Sequence, residues 1–126
     1  LRAGVKPVEA STYLMVVPTP FKGKNEPDIS FVEAATKAVL PLLKDGDLYI
    51  IESTSPIGTT EKMMQLIFSE RPELEGKLYV AYCPERVLPG NVMYELVHND
   101  RVIGGVNEES TERAVSFYKQ FIKKKF

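Results

Sequence analysis

A chain of 126 residues is long enough for one hydrophobic core and too short for two, so we expect a single domain. With 16 basic and 17 acidic side chains, the net charge of -1 argues against a nucleic-acid partner. The single cysteine, Cys83, excludes an intramolecular disulfide, and no stretch is apolar for long enough to span a bilayer, so we expect a cytoplasmic protein without a membrane partner.

The first predicted elements are a strand and a helix. Tyr13–Val17 is a continuous apolar run, which is typical of a strand buried on both faces of a parallel sheet. Ser30 and Glu33 have the spacing of a capping box, so a helix should begin at Ser30. We expect Pro41 to shorten the last turn of that helix and the Asp-Gly-Asp sequence at 45–47 to end it.

The same alternation continues to the end of the chain. It predicts a strand at 48–51, a helix at 59–69, a strand at 78–81, a short helical segment near 92–97, a strand at 101–106 and a helix from about Glu108. Strands that alternate with helices form a parallel sheet covered on both sides. The predicted class is therefore α/β, a three-layer parallel sheet.

Polar and unusual residues follow each of the first three predicted strands. The sequence VPTP follows the first strand, ESTSPIGTT the second and CPERVLPG the third. In an open parallel sheet, ligands bind beyond the carboxyl ends of the strands. The three loops should therefore share one ligand-binding rim.

The second loop has features of an anion site. Residues 58–60 open a helix, whose free N–H groups and positive dipole end favour a phosphate or carboxylate. The hydroxyls of Ser53, Thr54 and Thr60 would add uncharged hydrogen-bond donors. The alternative is that these side chains only cap the helix.

The third loop carries the candidate base. Glu85 follows Pro84, which restricts the backbone, so its carboxylate could act as a general base on water, and Arg86 could hold a phosphate. Alternatively, both are solvated charges or a structural ion pair. The apolar run before Cys83 predicts a buried, small apolar side chain at this position. The only histidine, His98, has no partner at metal-ligand spacing, so no metal site is predicted.

Four segments together resemble one known family. VVPTPFKGKNEPD, IIESTSPIGTTEKM, AYCPERVLPGNVMYEL and NDRVIGGV are similar to the second half of the Rossmann-type NAD-binding domain of the UDP-glucose/GDP-mannose dehydrogenase family, from about Pro7 to Phe121. The Cys-Pro-Glu-Arg form resembles the branch that acts on UDP-N-acetyl-D-mannosamine. The resemblance implies NAD-dependent oxidation of the UDP-sugar at C6 to a uronate, in two hydride transfers, for surface polysaccharide synthesis.

The resemblance also implies roles for individual residues. Thr19, Thr54 and Thr60 would contact NAD, and Thr54 would also lie near the catalytic water. Glu85 would help water hydrolyse a thioester intermediate. Arg86 and Val87 would contact the UDP-sugar substrate.

Parts of the family pattern do not occur in residues 1–126. There is no G-x-G-x-x-G turn, and neither the ribose-binding acid nor the later lysine, asparagine and nucleophilic cysteine of the family is found; Cys83 does not match that nucleophile. We therefore expect a partial NAD-binding domain without the first βαβ unit, the central helix or the UDP-binding domain, and inactive alone. The family implies a homodimer for the complete enzyme, and a free edge on strand 13–17 would let copies of this chain associate. A UDP-glucose 6-dehydrogenase and a non-catalytic flavodoxin-like binding module are the alternatives.

Overall fold

The computed structural model describes residues 3–23, 26–85, 90, 92–98 and 100–122. In chain order, the elements are β1 (Thr12–Met15), β2 (Phe21–Lys22), β3 (Glu26–Pro27), α1 (Ser30–Val39), a 3₁₀ turn (Leu40–Leu42), β4 (Leu48–Ile51), α2 (Thr59–Glu70), a second 3₁₀ turn (Pro72–Leu74), β5 (Tyr79–Tyr82), α3 (Val92–His98), β6 (Gly104–Gly105) and α4 (Glu108–Tyr118). Strands and helices alternate as predicted, and the α/β class is confirmed.

The main sheet has the strand order β1-β4-β5-β6. β1 and β5 both pair with β4 in parallel. The predicted parallel strand at 101–106 is wrong, because only Gly104–Gly105 pairs with β5, and it does so antiparallel. An antiparallel return needs no crossover helix on the sheet, and Met93 and Tyr94 of α3 are exposed to solvent.

Two layers of helices cover the sheet. α1 and α2 pack against β1 and β5 on one face, and α4 packs against β4, β5 and β6 on the other. A hydrophobic core lies on each face of the sheet, and β4 contributes to both. Tyr49 and Ile51 belong to the core under α1 and α2, and Leu48 and Ile50 belong to the core under α4. Complete burial of such a side chain contributes about 1.5–3 kcal/mol each, so β4 is the centre of the fold.

The first strand differs from its prediction. Tyr13 and Met15 are buried, but Leu14 is 37% exposed and Val16 is 62% exposed. The expectation that the run at 13–17 is buried on both faces is therefore wrong, because α4 packs over the other three strands. Among the described residues, β1 is an edge strand with one apolar face exposed to solvent.

α1 begins at Ser30, as predicted, but its N-terminus is not capped in the predicted way. Ile29 is the N-cap residue, and no capping box forms. Instead, the Ser30 amide donates to Oδ1 of Asp28 at 2.9 Å, and hydrogen bonding to Ser30 lowers the pKa of the Asp28 carboxyl group. Pro41 lies in the 3₁₀ turn that follows α1, which confirms that it alters the last turn of this segment.

Candidate functional site

The three loops at the carboxyl ends of the strands are joined by backbone hydrogen bonds. The amides of Glu52 and Ser53 donate to the Met15 carbonyl oxygen at 3.0 and 3.2 Å, which connects the second loop to the end of β1, where the first loop begins. The Glu85 amide donates to the Glu52 carbonyl oxygen at 3.1 Å, which connects the second loop to the third. The prediction that the loops share one rim is therefore confirmed.

Two of the candidate cofactor residues are in direct contact. The Thr19 hydroxyl donates to the carbonyl oxygen of Thr54 at 2.6 Å. The Thr54 side chain is exposed, whereas Thr19 is half-buried. This bond fixes the two loops against each other and leaves the Thr54 side chain at the surface of the rim.

Ser53 is not an available donor. Its side chain is buried, its Oγ accepts from the Val17 amide at 2.7 Å, and it lies 2.7 Å from the Val17 carbonyl oxygen. The expectation that Ser53 offers a free hydroxyl to a ligand is therefore wrong. Its hydroxyl joins the loop after β1 to the loop after β4.

The first turn of α2 has no side-chain cap. Its N-cap residue is Gly58 in the left-handed region with φ 89°, a conformation that glycine adopts without steric cost. The alternative in which neighbouring hydroxyls only cap this helix is therefore not what the structure shows. The Thr59 amide donates to the Pro56 carbonyl oxygen at 3.2 Å, whereas no described residue outside the helix accepts from the amides of Thr60 and Glu61, so these two could face an anion.

A cleft of about 320 Å³ lies beside the start of α2. Thr60 lines this cleft together with Ser55, Gly58 and Tyr82. The Tyr82 hydroxyl accepts from the Ser55 amide at 3.0 Å and thereby holds the loop over the sheet. Thr60 thus lies on the cleft wall, apart from the contact between Thr19 and Thr54.

Glu85 is the exposed carboxylate of the third loop. No described residue forms a hydrogen bond or ion pair with its side chain. Arg86 and Val87, the predicted substrate contacts, lie outside the described residues. Their contacts with the UDP-sugar therefore stay a prediction.

A buried ion pair lies beneath the rim, and the sequence analysis did not identify it. Arg101 Nη1 donates to Oε1 of Glu52 at 2.8 Å, and the side chains are only 6% and 11% exposed. The guanidinium carbon also lies 4.8 Å from the centre of the Tyr118 ring. One signal was available, since Glu52 follows the apolar strand β4 directly and Arg101 precedes the apolar pair Val102 and Ile103.

Cys83 lies next to this ion pair. Its side chain is fully buried, and burial raises the pKa of the thiol. The thiol therefore remains protonated near neutral pH, which confirms Cys83 as a small buried residue of the core. Within the described ranges, no three metal-ligating side chains are grouped together, and no helix is long and apolar enough to cross a membrane.

Comparison with known proteins agrees with this geometry. Residues 3–122 match the NAD binding domain of the UDP-glucose/GDP-mannose dehydrogenase family. The chain is 52% identical, over 97% of its own length and 31% of the relative, to a UDP-N-acetyl-D-mannosamine dehydrogenase of Yersinia pestis. It is 46% identical, over 98% of its length and 31% of the relative, to an NDP-N-acetyl-D-galactosaminuronic acid dehydrogenase of Ralstonia nicotianae.

A solved structure gives the same result. The UDP-D-ManNAc dehydrogenase of Pyrococcus horikoshii superimposes with a TM-score of 0.84 at 41% identity, over 93% of this chain and 28% of that protein. The chain thus spans about a third of the length of the relatives that it matches.

Proposed function

Since this chain belongs to the UDP-glucose/GDP-mannose dehydrogenase family, we propose that it is the NAD-binding unit of a UDP-N-acetyl-D-mannosamine 6-dehydrogenase. The observation that carries this proposal is the high identity, across nearly the whole chain, to dehydrogenases of that name. The reaction would oxidise the sugar at C6 to UDP-N-acetyl-D-mannosaminuronate in two successive hydride transfers. The product would serve surface polysaccharide synthesis, and the active enzyme would be a homodimer.

The rim offers some of the groups that a dinucleotide site uses. The uncapped first turn of α2 offers N–H groups for an anionic or strongly polar part of the cofactor, with Thr60 beside them. The bond between Thr19 and Thr54 would hold two loops in the arrangement that receives the cofactor. NAD, when bound, supplies the hydride acceptor, and these residues bind and orient it.

Glu85 would act on water in the hydrolysis of the thioester intermediate. Its backbone is anchored to β4 through the Glu52 carbonyl oxygen, while its carboxylate is exposed and lacks a described partner. One water proton would pass to a Glu85 carboxylate oxygen as the water oxygen attacks the thioester carbonyl, and the thiolate would leave. Thr54 would lie near this water, and Arg86 and Val87 would contact the UDP-sugar.

A second substrate has a specific observation in its favour. The similarity to the Ralstonia dehydrogenase, which is named for an N-acetyl-D-galactosaminuronic acid, favours another N-acetylated hexosamine as the alternative. UDP-glucose remains the further alternative within the family. The sugar is therefore the part of the proposal that an assay has to decide.

The test is NADH production by the full gene product that contains this chain. UDP-N-acetyl-D-mannosamine, UDP-N-acetyl-D-galactosamine and UDP-glucose are supplied in parallel, and we expect about two NADH per molecule of the first sugar only. Turnover of another sugar alone would show that the proposed substrate is wrong. No turnover of any of the three would refute the proposed dehydrogenase.

The role of Glu85 is tested by Glu85→Gln in the same protein. Loss of a general base lowers kcat by about 10²- to 10⁴-fold, and we expect a loss in this range. Glu112→Gln is the matched control, because Glu112 is an exposed glutamate on α4. If the two variants have the same kcat, Glu85 is not the base.

A further inference from the structure

Glu52 is bonded to segments next to each of the other three strands of the main sheet. Its amide donates to Met15 in β1 at 3.0 Å, and its carbonyl oxygen accepts from Glu85, beyond β5, at 3.1 Å. Its carboxylate accepts from Arg101, ahead of β6, at 2.8 Å. A movement of Glu52 would therefore displace both Glu85 and the start of the loop that begins with Ser53.

The side-chain contact holds Glu52 at the base of the rim. Both partners are nearly buried, and the guanidinium is enclosed by the Tyr118 ring and the Cys83 sulfur, 3.9 Å from Nη1. Glu52 cannot leave this position without leaving a buried cation unpaired, which is strongly unfavourable. The carboxylate thus fixes the backbone of the same residue.

The backbone of Glu52 in turn fixes the candidate base. The bond from the Glu85 amide to the Glu52 carbonyl oxygen is the only hydrogen bond of Glu85 to the described part of the chain, and Pro84 before it has no amide hydrogen to donate. Thr54 lies only two residues after Glu52, and its carbonyl oxygen accepts from Thr19. Glu85 therefore takes its position from Glu52, whereas the Thr54 loop is also held by Thr19 and Ser53.

We propose that the Glu52–Arg101 ion pair positions Glu85 for the reaction, an inference that rests on the proposed function of Glu85. Stability alone accounts poorly for such a pair, because well-packed apolar residues often replace buried ion pairs without loss of stability. A fixed backbone at the end of β4 is what an ion pair provides here and an apolar contact does not. Glu52 and Arg101 are positioning residues, since neither would touch the substrate.

The chain offers a matched control at the opposite end of the same strand. Asp47 immediately precedes β4, its side chain is 3% exposed, and its carboxylate pairs with Lys44 at 2.9 Å. Asp47→Asn therefore removes a buried carboxylate charge from β4 without altering the rim. Glu52→Gln removes the corresponding charge at the rim and keeps the size of the side chain.

The first measurement is amide hydrogen exchange in this 126-residue chain, read residue by residue by NMR. We expect the Glu85 amide to exchange at least about tenfold faster in Glu52→Gln than in the wild type and to be unchanged in Asp47→Asn. An unchanged Glu85 amide in Glu52→Gln overturns the proposal, whatever the enzyme does. If Glu52→Gln does not fold, Arg101→Lys gives the same test, because it keeps the positive charge but replaces the planar guanidinium, and the same direction is expected.

The second measurement is kcat in the full gene product, in a double-mutant cycle. We expect Glu52→Gln to lower kcat by about 10- to 100-fold, the effect of a small misplacement of a catalytic group. In a Glu85→Gln background, the same change should have less than about a twofold effect, because its path to the chemistry is already removed. The proposal is overturned if Glu52→Gln lowers kcat by the same factor in the Glu85→Gln background as in the wild type. It is also overturned if Glu52→Gln and Asp47→Asn have the same kcat. A wild type that produces no NADH would instead refute the proposed function.

Discussion

Gly105 in β6 has no room for a side chain. A Cβ atom at this position would lie 2.4 Å from the Thr111 amide nitrogen, 2.6 Å from the Thr111 Oγ1 and 2.8 Å from the Asn107 carbonyl oxygen. Two of these three atoms are backbone atoms at the start of α4, so they cannot rotate away. A Cβ atom on the adjacent Gly104 would have no atom within 4 Å, which makes Gly104→Ala the matched control.

The destabilisation by Gly105→Ala can be worked out from the movement of Asn107 and Thr111 that the new methyl group requires. Overpacking of a tight contact costs about 1–3 kcal/mol. The movement also disturbs the start of α4, where the Asn107 side chain accepts from the Ser110 amide at 2.8 Å, and the loss of a helix cap costs about 1 kcal/mol more. We therefore expect a loss of about 2–4 kcal/mol in the free energy of unfolding. At about 2.1 cal/mol/K of unfolding entropy per residue, 126 residues give about 4 °C per kcal/mol, so Tm should fall by about 8–16 °C.

The assay is thermal unfolding of this chain and of the two variants, followed by circular dichroism. Both substitutions reduce the entropy of the unfolded chain to a similar degree, so the difference between them isolates the clash. Gly104→Ala should leave Tm within a few degrees of the wild type. Equal Tm values for the two variants would refute the reasoning, because β6 and α4 would then be able to separate without cost.

Two further predictions concern pH and association. Burial raises the pKa of Tyr49 from 10.0 to about 12, although its hydrogen bond with Thr36 acts in the opposite direction. This contribution to stability is nearly complete at pH 10 and is lost as the pH rises through 12. Urea unfolding should therefore show a loss of about 2 kcal/mol between pH 10 and pH 12 that Tyr49→Phe lacks; equal losses would contradict this. The exposed Leu14 on the edge strand β1 should let copies of the chain associate, and Leu14→Lys should prevent this in light scattering. A monomeric wild type at high concentration would contradict that expectation.

The sequence predicted local elements better than it predicted their neighbours. The apolar run of β4 and the start of α2 at Thr59 are set by the residues themselves, and both lie where predicted. The exposure of Leu14 depends on where α4 packs, and the direction of β6 depends on how it pairs with β5. Neither is encoded in the periodicity of the strand concerned. The same holds at the rim, where Ser53 and Thr54 are adjacent in sequence yet one is buried and the other exposed.

The alternation of β4 explains why the rim needs an ion pair. Successive side chains of a strand point to opposite faces, and Leu48 and Ile50 belong to the core under α4. Glu52 continues this series by one step, so its carboxylate is directed into the same core, where an unpaired charge would be strongly unfavourable. Arg101 reaches the same core and neutralises that charge. Ser53 continues the other series after Ile51, and its buried hydroxyl is satisfied by the backbone of Val17. The two residues after β4 are thus each tied to a different neighbour, and Thr54 is the first residue of the loop whose side chain is exposed to solvent.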